Sequence, residues 1–338
     1  MVSPKLRYAD LNSKALFCPR RCESHPPEGR RSRHFVRHGF FYRSSDRAWV
    51  SRFYCYGCQR TFSRATHHPC FGQKKRTVNF PLFRLLCSAM TGRRAARHLK
   101  ISRKTVDRKI QFLGEQAALE QERFLKESSR EKRYGKIQFD ELETFEHTKG
   151  KPLSIPLVVE SRTRLILGVD VCSMPAKGPL AEISRRKYGV RANDRIPTLR
   201  ALLQRLTPYV DPKAEFRSDS HPYYPPVLKG VFPESTHRRV ESRKGAITGQ
   251  GELKKVRWDP IFSLNHTAAM YRANVSRLVR KTWATTKKKD RLRHHLLIYA
   301  VWHNRVILER WERRRRKERG TTLRVERRRG NANLALAA

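Results

Sequence analysis

The run Ile137-Gln138-Phe139-Asp140-Glu141-Leu142-Glu143-Thr144-Phe145 has the residue types of a β-strand, yet an acid, Asp140, stands where the apolar pattern would continue. A second acid closes a later run of the same kind, Phe216-Arg217-Ser218-Asp219-Ser220. Two carboxylates at the ends of adjacent strands can bind Mg2+ through oxygen, with waters and a phosphate completing its shell, as in sites for in-line phosphoryl displacement. An Asp at such a place also serves turns and caps, so its surroundings carry the argument. Glu141 follows directly and points to the opposite face of the strand, which makes it the weaker ligand candidate.

Working outward, Ser154 to Glu160 and Arg164 to Val171 are further strand-type runs, parted from the first by His147 to Lys151 and from each other by Ser161-Arg162. Three strands with two tight connections predict an antiparallel meander. Thr198 to Leu206 reads as an amphipathic helix and Glu215 to Asp219 as another strand. Gly245 to Gly251 is expected as a flexible loop, and two helices fit between Asn265 and Trp311, parted near Thr285. Residues 134–311 are therefore expected to form a mixed α/β domain. Beyond it, residues 312–338 include Arg313 to Arg316 and Arg327 to Arg329, have little to bury, and are expected as a disordered polycationic tail.

Upstream, residues 76–133 turn helical. Phe80, Phe83, Leu86, Cys87 and Met90 recur at helical spacing. Thr91-Gly92 interrupts them, and Arg93 to Leu99 gives a short helix with Ala95, Ala96 and Leu99 inward. After Lys100-Ile101, Ser102 caps a second helix through Thr105, Val106 and Ile110. This is a helix-turn-helix pattern whose second helix is expected to present Arg103, Lys104, Asp107, Arg108 and Lys109 outward. Of these, Arg103, Lys104, Arg108 and Lys109 are the candidate DNA contacts, suited to phosphates and groove edges. Tyr134-Gly135-Lys136 then predicts a hinge.

Residues 1–75 lack sustained helical periodicity. Cys18 and Cys22 have three residues between them, and Cys55 and Cys58 have two. Two close thiol pairs, each on its own turn, suit a tetrahedral Zn2+ site, and four protein ligands make that site structural. Gly57 stands where the second turn must be tight. Aromatic residues at Phe53, Tyr54, Tyr56 and Phe62 suit a ribbon packed across a metal. His25, His67, His68 and Cys70 lie near enough in sequence to replace one cysteine.

The whole chain of 338 residues carries 75 Lys and Arg against 30 Asp and Glu, a formal charge of +45. Such an excess argues against an ordinary neutral metabolic enzyme and for a polyanionic partner, nucleic acid first. Six of the seven cysteines fall between Cys18 and Cys87, unlike a secreted disulfide framework. The longest apolar run, Leu296 to Trp302, falls far short of the ~20 helical residues that cross a bilayer. An intracellular protein with reduced thiols and no membrane contact is the expectation.

The order of a cysteine-pair ribbon, a helix-turn-helix, Asp140-Glu141, Ser218-Asp219 and then Arg277-Leu278-Val279-Arg280-Lys281-Thr282 resembles bacterial insertion-sequence transposases of the insertion-sequence-one type and their relatives. The resemblance runs from about Cys18 to Asn304. It implies an α+β multidomain protein: an N-terminal zinc ribbon, a helix-turn-helix, then a ribonuclease-H-like mixed α/β catalytic domain. It also implies an Asp, Asp, Glu triad that binds two divalent metals, Mg2+ or Mn2+, for strand cleavage and transfer. Asp140 and Asp219 match the first two positions, and the third falls on Asn265. Some relatives are similar in using Asn there. An amide oxygen still coordinates a hard cation but brings no charge, so metal affinity should be weaker. Glu252 and Asp259 are competing third ligands. Arg272 matches a basic residue seven positions after the third ligand, on the same helical face. The implied partners are double-stranded DNA at element ends and target, and a second copy of the chain in a homodimer or higher assembly. The implied location is the bacterial cytoplasm at the nucleoid. The rival readings are a catalytically decayed or regulatory DNA-binding relative and a zinc-ribbon protein of RNA or the ribosome.

Overall fold

The computed structural model describes residues 16–20, 22, 35–44, 47–241, 259–279 and 284–318, without the side chains of residues 64 and 311–318. His25, the Gly245 to Gly251 loop, Glu252 and residues 319–338 lie outside the described residues. The chain forms two compact units, with the junction between Leu82 and Phe83. The helical segment after Phe83 lies in the second unit with the α/β region.

In the first unit, β1 (Phe35–Arg43), β2 (Ala48–Cys55) and β3 (Arg60–Ser63) form an antiparallel sheet in chain order. Its core is Cys18, Cys55 and Phe62, with Leu16, Cys22, Phe35, Phe53 and Cys58 packed around them. So few apolar residues bury too little surface to hold a domain alone. Four sulfurs occupy the centre of that cluster.

Helix α1 (Asn79–Leu86) leads to α2 (Gly92–His98) and α3 (Arg103–Ser128). Ser102 caps α3 as the sequence predicts, and Thr91, read there only as a break, caps α2: their side chains accept from the N–H groups of Thr105 and Arg94. Helix α3 buries Val106, Ile110, Leu113 and Ala117. Lys109 belongs to the same face, three residues after Val106 and four before Leu113. It is 5% exposed, which corrects the expectation that it points outward. Arg103, Lys104 and Arg108 are exposed.

The α/β region contains β4 (Tyr134–Phe145), β5 (Pro152–Glu160), β6 (Ile166–Val169), β7 (Cys172–Ser173), α4 (Leu180–Tyr188), α5 (Arg195–Leu206), β8 (Val210–Asp219), α6 (Tyr224–Val231), β9 (Thr236–Val240), α7 (Phe262–Asn274) and α8 (Lys289–Glu318). The sheet runs β6-β5-β4-β8-β9, with β7 beside β5. The meander β4-β5-β6 is antiparallel, whereas β8 pairs parallel to β4 and β9 parallel to β8. The hinge expected at Tyr134 is instead the start of β4. There the Tyr134 N–H donates to the Tyr209 carbonyl and its hydroxyl meets Ser128 Oγ at 2.6 Å.

One sheet face presents Ile137, Phe139, Val158 and Phe216 to Leu199, Leu202, Leu203 and Leu206 of α5 and to Val227 and Leu228 of α6. The opposite face of β4 carries Gln138, whose Oε1 accepts from Leu264 N–H of α7 at 3.0 Å. Helix α8 packs on α3 and on β6. Asn304 on α8 brackets the edge strand β6, accepting from Ile166 N–H and donating to the Ile166 carbonyl, with Gln121 of α3 beside it. Helices α3 and α8 approach so closely at Gly114 that an added Cβ would lie 2.3 Å from His294 Cβ. Helix α8 continues to Glu318, so the tail expected from residue 312 begins as helix. Arg, Lys and Glu are good helix formers and extend a helix already nucleated by packing. Among the described residues, no helix is long and apolar enough to cross a membrane.

Candidate functional site

The first cluster is the cysteine quartet. Cys55 ends β2, and Cys58 lies in the turn to β3. With Cys18 and Cys22 their sulfurs all lie within 4.8 Å of one another. Cys18 Sγ is 3.5 Å from Cys58 Sγ and 3.9 Å from Cys22 Sγ, and Cys22 Sγ is 3.9 Å from Cys55 Sγ. A tetrahedral zinc with Zn–S bonds of about 2.3 Å requires sulfurs about 3.8 Å apart. The four fit that ion. Burial opposes ionisation of Cys55, but the N–H groups of Cys58 and Gly57 and the Cys18 thiol bring it down to about 7. Burial pushes the Cys18 thiol up. Of the alternative ligands, His67 Nε2 is held at 2.8 Å by the Phe17 carbonyl, and His68 Nδ1 accepts from the Cys70 N–H.

The second cluster lies just past the last pair of β4 with β8, where Ile137 pairs with Phe216 and Gln138 with Arg217. Asp219 ends β8, but Asp140 stands midway along β4, which continues to Phe145 beside β5, so only one of the two acids is at a strand end as the sequence suggested. The charge of Asp219 is felt at Asp140. Burial first, and then the charge of Asp219, push the Asp140 carboxyl up to about 6. The Glu141 N–H at 2.7 Å and the Tyr224 hydroxyl at 3.0 Å, both donating to Asp140 Oδ1, oppose that rise. Asp219 Oδ1 accepts from the His221 N–H at 3.0 Å, which closes a turn directly after the strand. Each acid thus has one oxygen fixed by the fold. Two carboxylates facing each other with so little compensation make a donor set suited to a hard divalent cation.

Glu141 does turn to the other face. It accepts from Ser154 Oγ and Arg195 Nε, each at 2.5 Å, and from the Tyr223 hydroxyl. Its ion pair with Arg195 is almost fully buried, so this acid already has its counter-charge. The third position is less direct. Asn265 sits in the first turn of α7, beside Leu264, which binds Gln138 two residues before Asp140. The Asn265 amide donates to Asp259 Oδ2 at 2.8 Å, and Asp259 Oδ1 accepts from Ile261 N–H. Among the described residues, the cysteine quartet is the only close cluster of three or more thiol, imidazole or carboxylate ligands, so Asp259 does not close a triad with Asp140 and Asp219. Arg272 lies on α7, two turns after Asn265, and is half-buried. Sequence reasoning missed His221, Tyr223 and Tyr224, because an aromatic run among three prolines, Pro222, Pro225 and Pro226, reads as loop. Only the closeness of His221 to Asp219 in the chain hinted at them.

No protein-family model and no curated protein matches the chain. Among solved structures it is similar to the Mos1 mariner paired end complex with Mn, at 14% identity and a TM-score of 0.22, over 71% of this chain and 78% of that one. A likeness at that level establishes neither fold nor activity, so the functional reading rests on the residues.

Two outcomes follow from these sites. Protein purified without chelator should carry one zinc per chain, and Cys55→Ser should lose it to a chromophoric chelator at least ~10-fold more readily; unchanged retention would contradict the quartet. For Asp140, the folded state holds its proton up to about 6 while the ordinary value is 3.8, so stability falls as pH rises through that window. Without added divalent cations, Asp140→Asn should therefore stabilise the protein at pH 8, by up to ~2 kcal/mol, and lose that advantage near pH 4. Thermal melts at both pH values check this, and an equal effect at both would contradict it.

Proposed function

We propose that the chain is a DNA transposase of the insertion-sequence-one kind, cutting and joining DNA strands with divalent cations at Asp140 and Asp219. This reading rests on the approach of Asp140, midway along β4 and just past its last pair with β8, to Asp219 at the end of β8, with the Asp140 carboxyl raised first by burial and then by the charge of Asp219. The sheet supports it: three antiparallel strands followed by two parallel ones, with helices on both faces, suit a ribonuclease-H-like domain over 134–311. In this reading residues 1–75 are a zinc ribbon. Helices α2 and α3, four residues apart in the chain, are a helix-turn-helix that offers Arg103, Lys104 and Arg108 to DNA.

Divalent cations bound there would activate water or a 3′-hydroxyl and stabilise the leaving oxygen. The chain's own part is orientation. Tyr224 and the Glu141 N–H fix one oxygen of Asp140, leaving Oδ2 for a cation, and the His221 N–H does the same for Asp219. Glu141, paired with Arg195, adds only the smallest of the influences that raise Asp140. Asn265 supplies a neutral amide oxygen, and Arg272 stands on the same helical face for a phosphate. Two DNA ends must meet, so the working form is a dimer or higher on double-stranded DNA, in the bacterial cytoplasm. A second reading, a DNA-binding relative without catalysis, is favoured by one observation: the Asn265 amide is engaged by Asp259.

Nicking of supercoiled plasmid, and of a duplex bearing the DNA that flanks the coding sequence, separates the two. Wild type in Mg2+ or Mn2+ should cleave, and Asp140→Ala should cleave at least ~1,000-fold more slowly, as the loss of several kcal/mol of charge stabilisation requires. DNA binding should persist in that variant. Cleavage that survives Asp140→Ala removes Asp140 from the site, and binding without any cleavage by wild type favours the second reading.

A further inference from the structure

Residues of α2, the start of α3, the turn after α7 and the start of α8 line a half-open cavity of about 870 Å3. Eight Arg and Lys residues line it, against the single acid Asp107. Among the described residues, none of these eight stands in an ion pair. Cations on a convex surface are solvated singly and need no explanation. Here they face one concavity, where their fields add; six are exposed, and Arg277 and Arg291 are half-buried within it.

Arg277 shows the consequence. Burial, together with the charges of Arg291 and Arg103, pushes its pKa below the ordinary arginine value, and Asp107 offsets this only in part. A second observation is independent of charge. His295, also on the wall, is 1% exposed, and its Nε2 lies 2.9 Å from the Leu86 carbonyl, so that nitrogen bears the proton. Its Nδ1 is buried with no hydrogen-bond partner, an uncommon state for a buried polar atom.

The chemistry of the wall selects the ligand. Guanidinium forks from separate parts of the chain match phosphate oxygens, and a water bridging a phosphate to Nδ1 would satisfy the histidine. The volume is at the upper end of the range for small-ligand pockets and far exceeds a single phosphate ion. The described wall holds no Phe, Tyr or Trp on which a base could stack, so the site suits a backbone rather than a nucleobase.

We propose that this cavity seats backbone phosphates of DNA, so that one strand is gripped at once by α2–α3 and by the turn that follows α7. Choosing DNA as the polyanion rests on the function proposed above. The grip joins the helical segment to the helix of Asn265 and Arg272, and it reads no sequence.

The test measures full-length protein binding fluorescent duplex by anisotropy across a salt series, with Arg291→Gln and, separately, Lys288→Gln, an exposed position whose loss leaves the fold intact. Each variant should lower the slope of log affinity against log salt by about 0.9, equally for random and for flanking duplex. Binding should weaken several-fold at physiological salt. Unchanged slopes in both variants overturn the proposal. So does a loss confined to one duplex sequence, a loss seen with structured RNA alone, or equal competition by inorganic phosphate at matched ionic strength. Cleavage is scored separately. Reduced slopes in a protein that never cuts DNA leave the cavity standing and sink the catalytic reading, whereas cutting with unchanged slopes does the reverse.

Discussion

Two like charges held face to face are the constraint around which the α/β unit is organised. Strands β4 and β8 run parallel up to Gln138 and Arg217 and carry Asp140 and Asp219 just beyond, and burial, then the charge of Asp219, raise the Asp140 carboxyl. Left alone, that arrangement costs stability, so it persists because the surrounding packing determines it many times over. Ile137, Phe139 and Phe216, in the same two strands, anchor the sheet on α5 and α6. Tyr224 belongs to both systems: its ring packs edge-on against Phe139 in the core, and its hydroxyl reaches Asp140. Core and site are thus one piece of chemistry.

The distribution of the few acids points the same way. Asp170 holds both Arg205 and Arg293, Glu120 holds Arg123 and Arg305, and Glu215 holds Arg217 and Arg238. Each of these acids is shared between two cations, and Glu141 is committed to Arg195. With a formal charge of +45, such pairing cannot neutralise the chain, and the surplus falls on surfaces such as the cavity at Arg277. A polyanion completes the balance.

Much of this was legible in the sequence, and the failures have physical reasons. The meander was readable because β4, β5 and β6 are dense in strand formers and parted by short polar turns. The acid pair was visible because Asp140 breaks an apolar run. Helix α6 was not, since Pro225 and Pro226 read as turn residues although proline is tolerated in a first helical turn. Strand β9, Thr236-His237-Arg238-Arg239-Val240, lies at the sheet's edge and has no apolar pattern to betray it. Lys109 misled because charge suggested solvent while helical spacing dictated the inner face. At Asn265, no spacing in the chain could reveal a hydrogen bond to Asp259, formed as the chain turns into α7.

A cation shared between the two carboxylates is what the proposed chemistry requires. Crystals of the wild-type protein soaked in Mn2+ and measured at an anomalous wavelength decide this most directly. A manganese peak is expected within bonding distance of oxygens from both Asp140 and Asp219. A map with no peak there, or with manganese bound only at other acids, would contradict it.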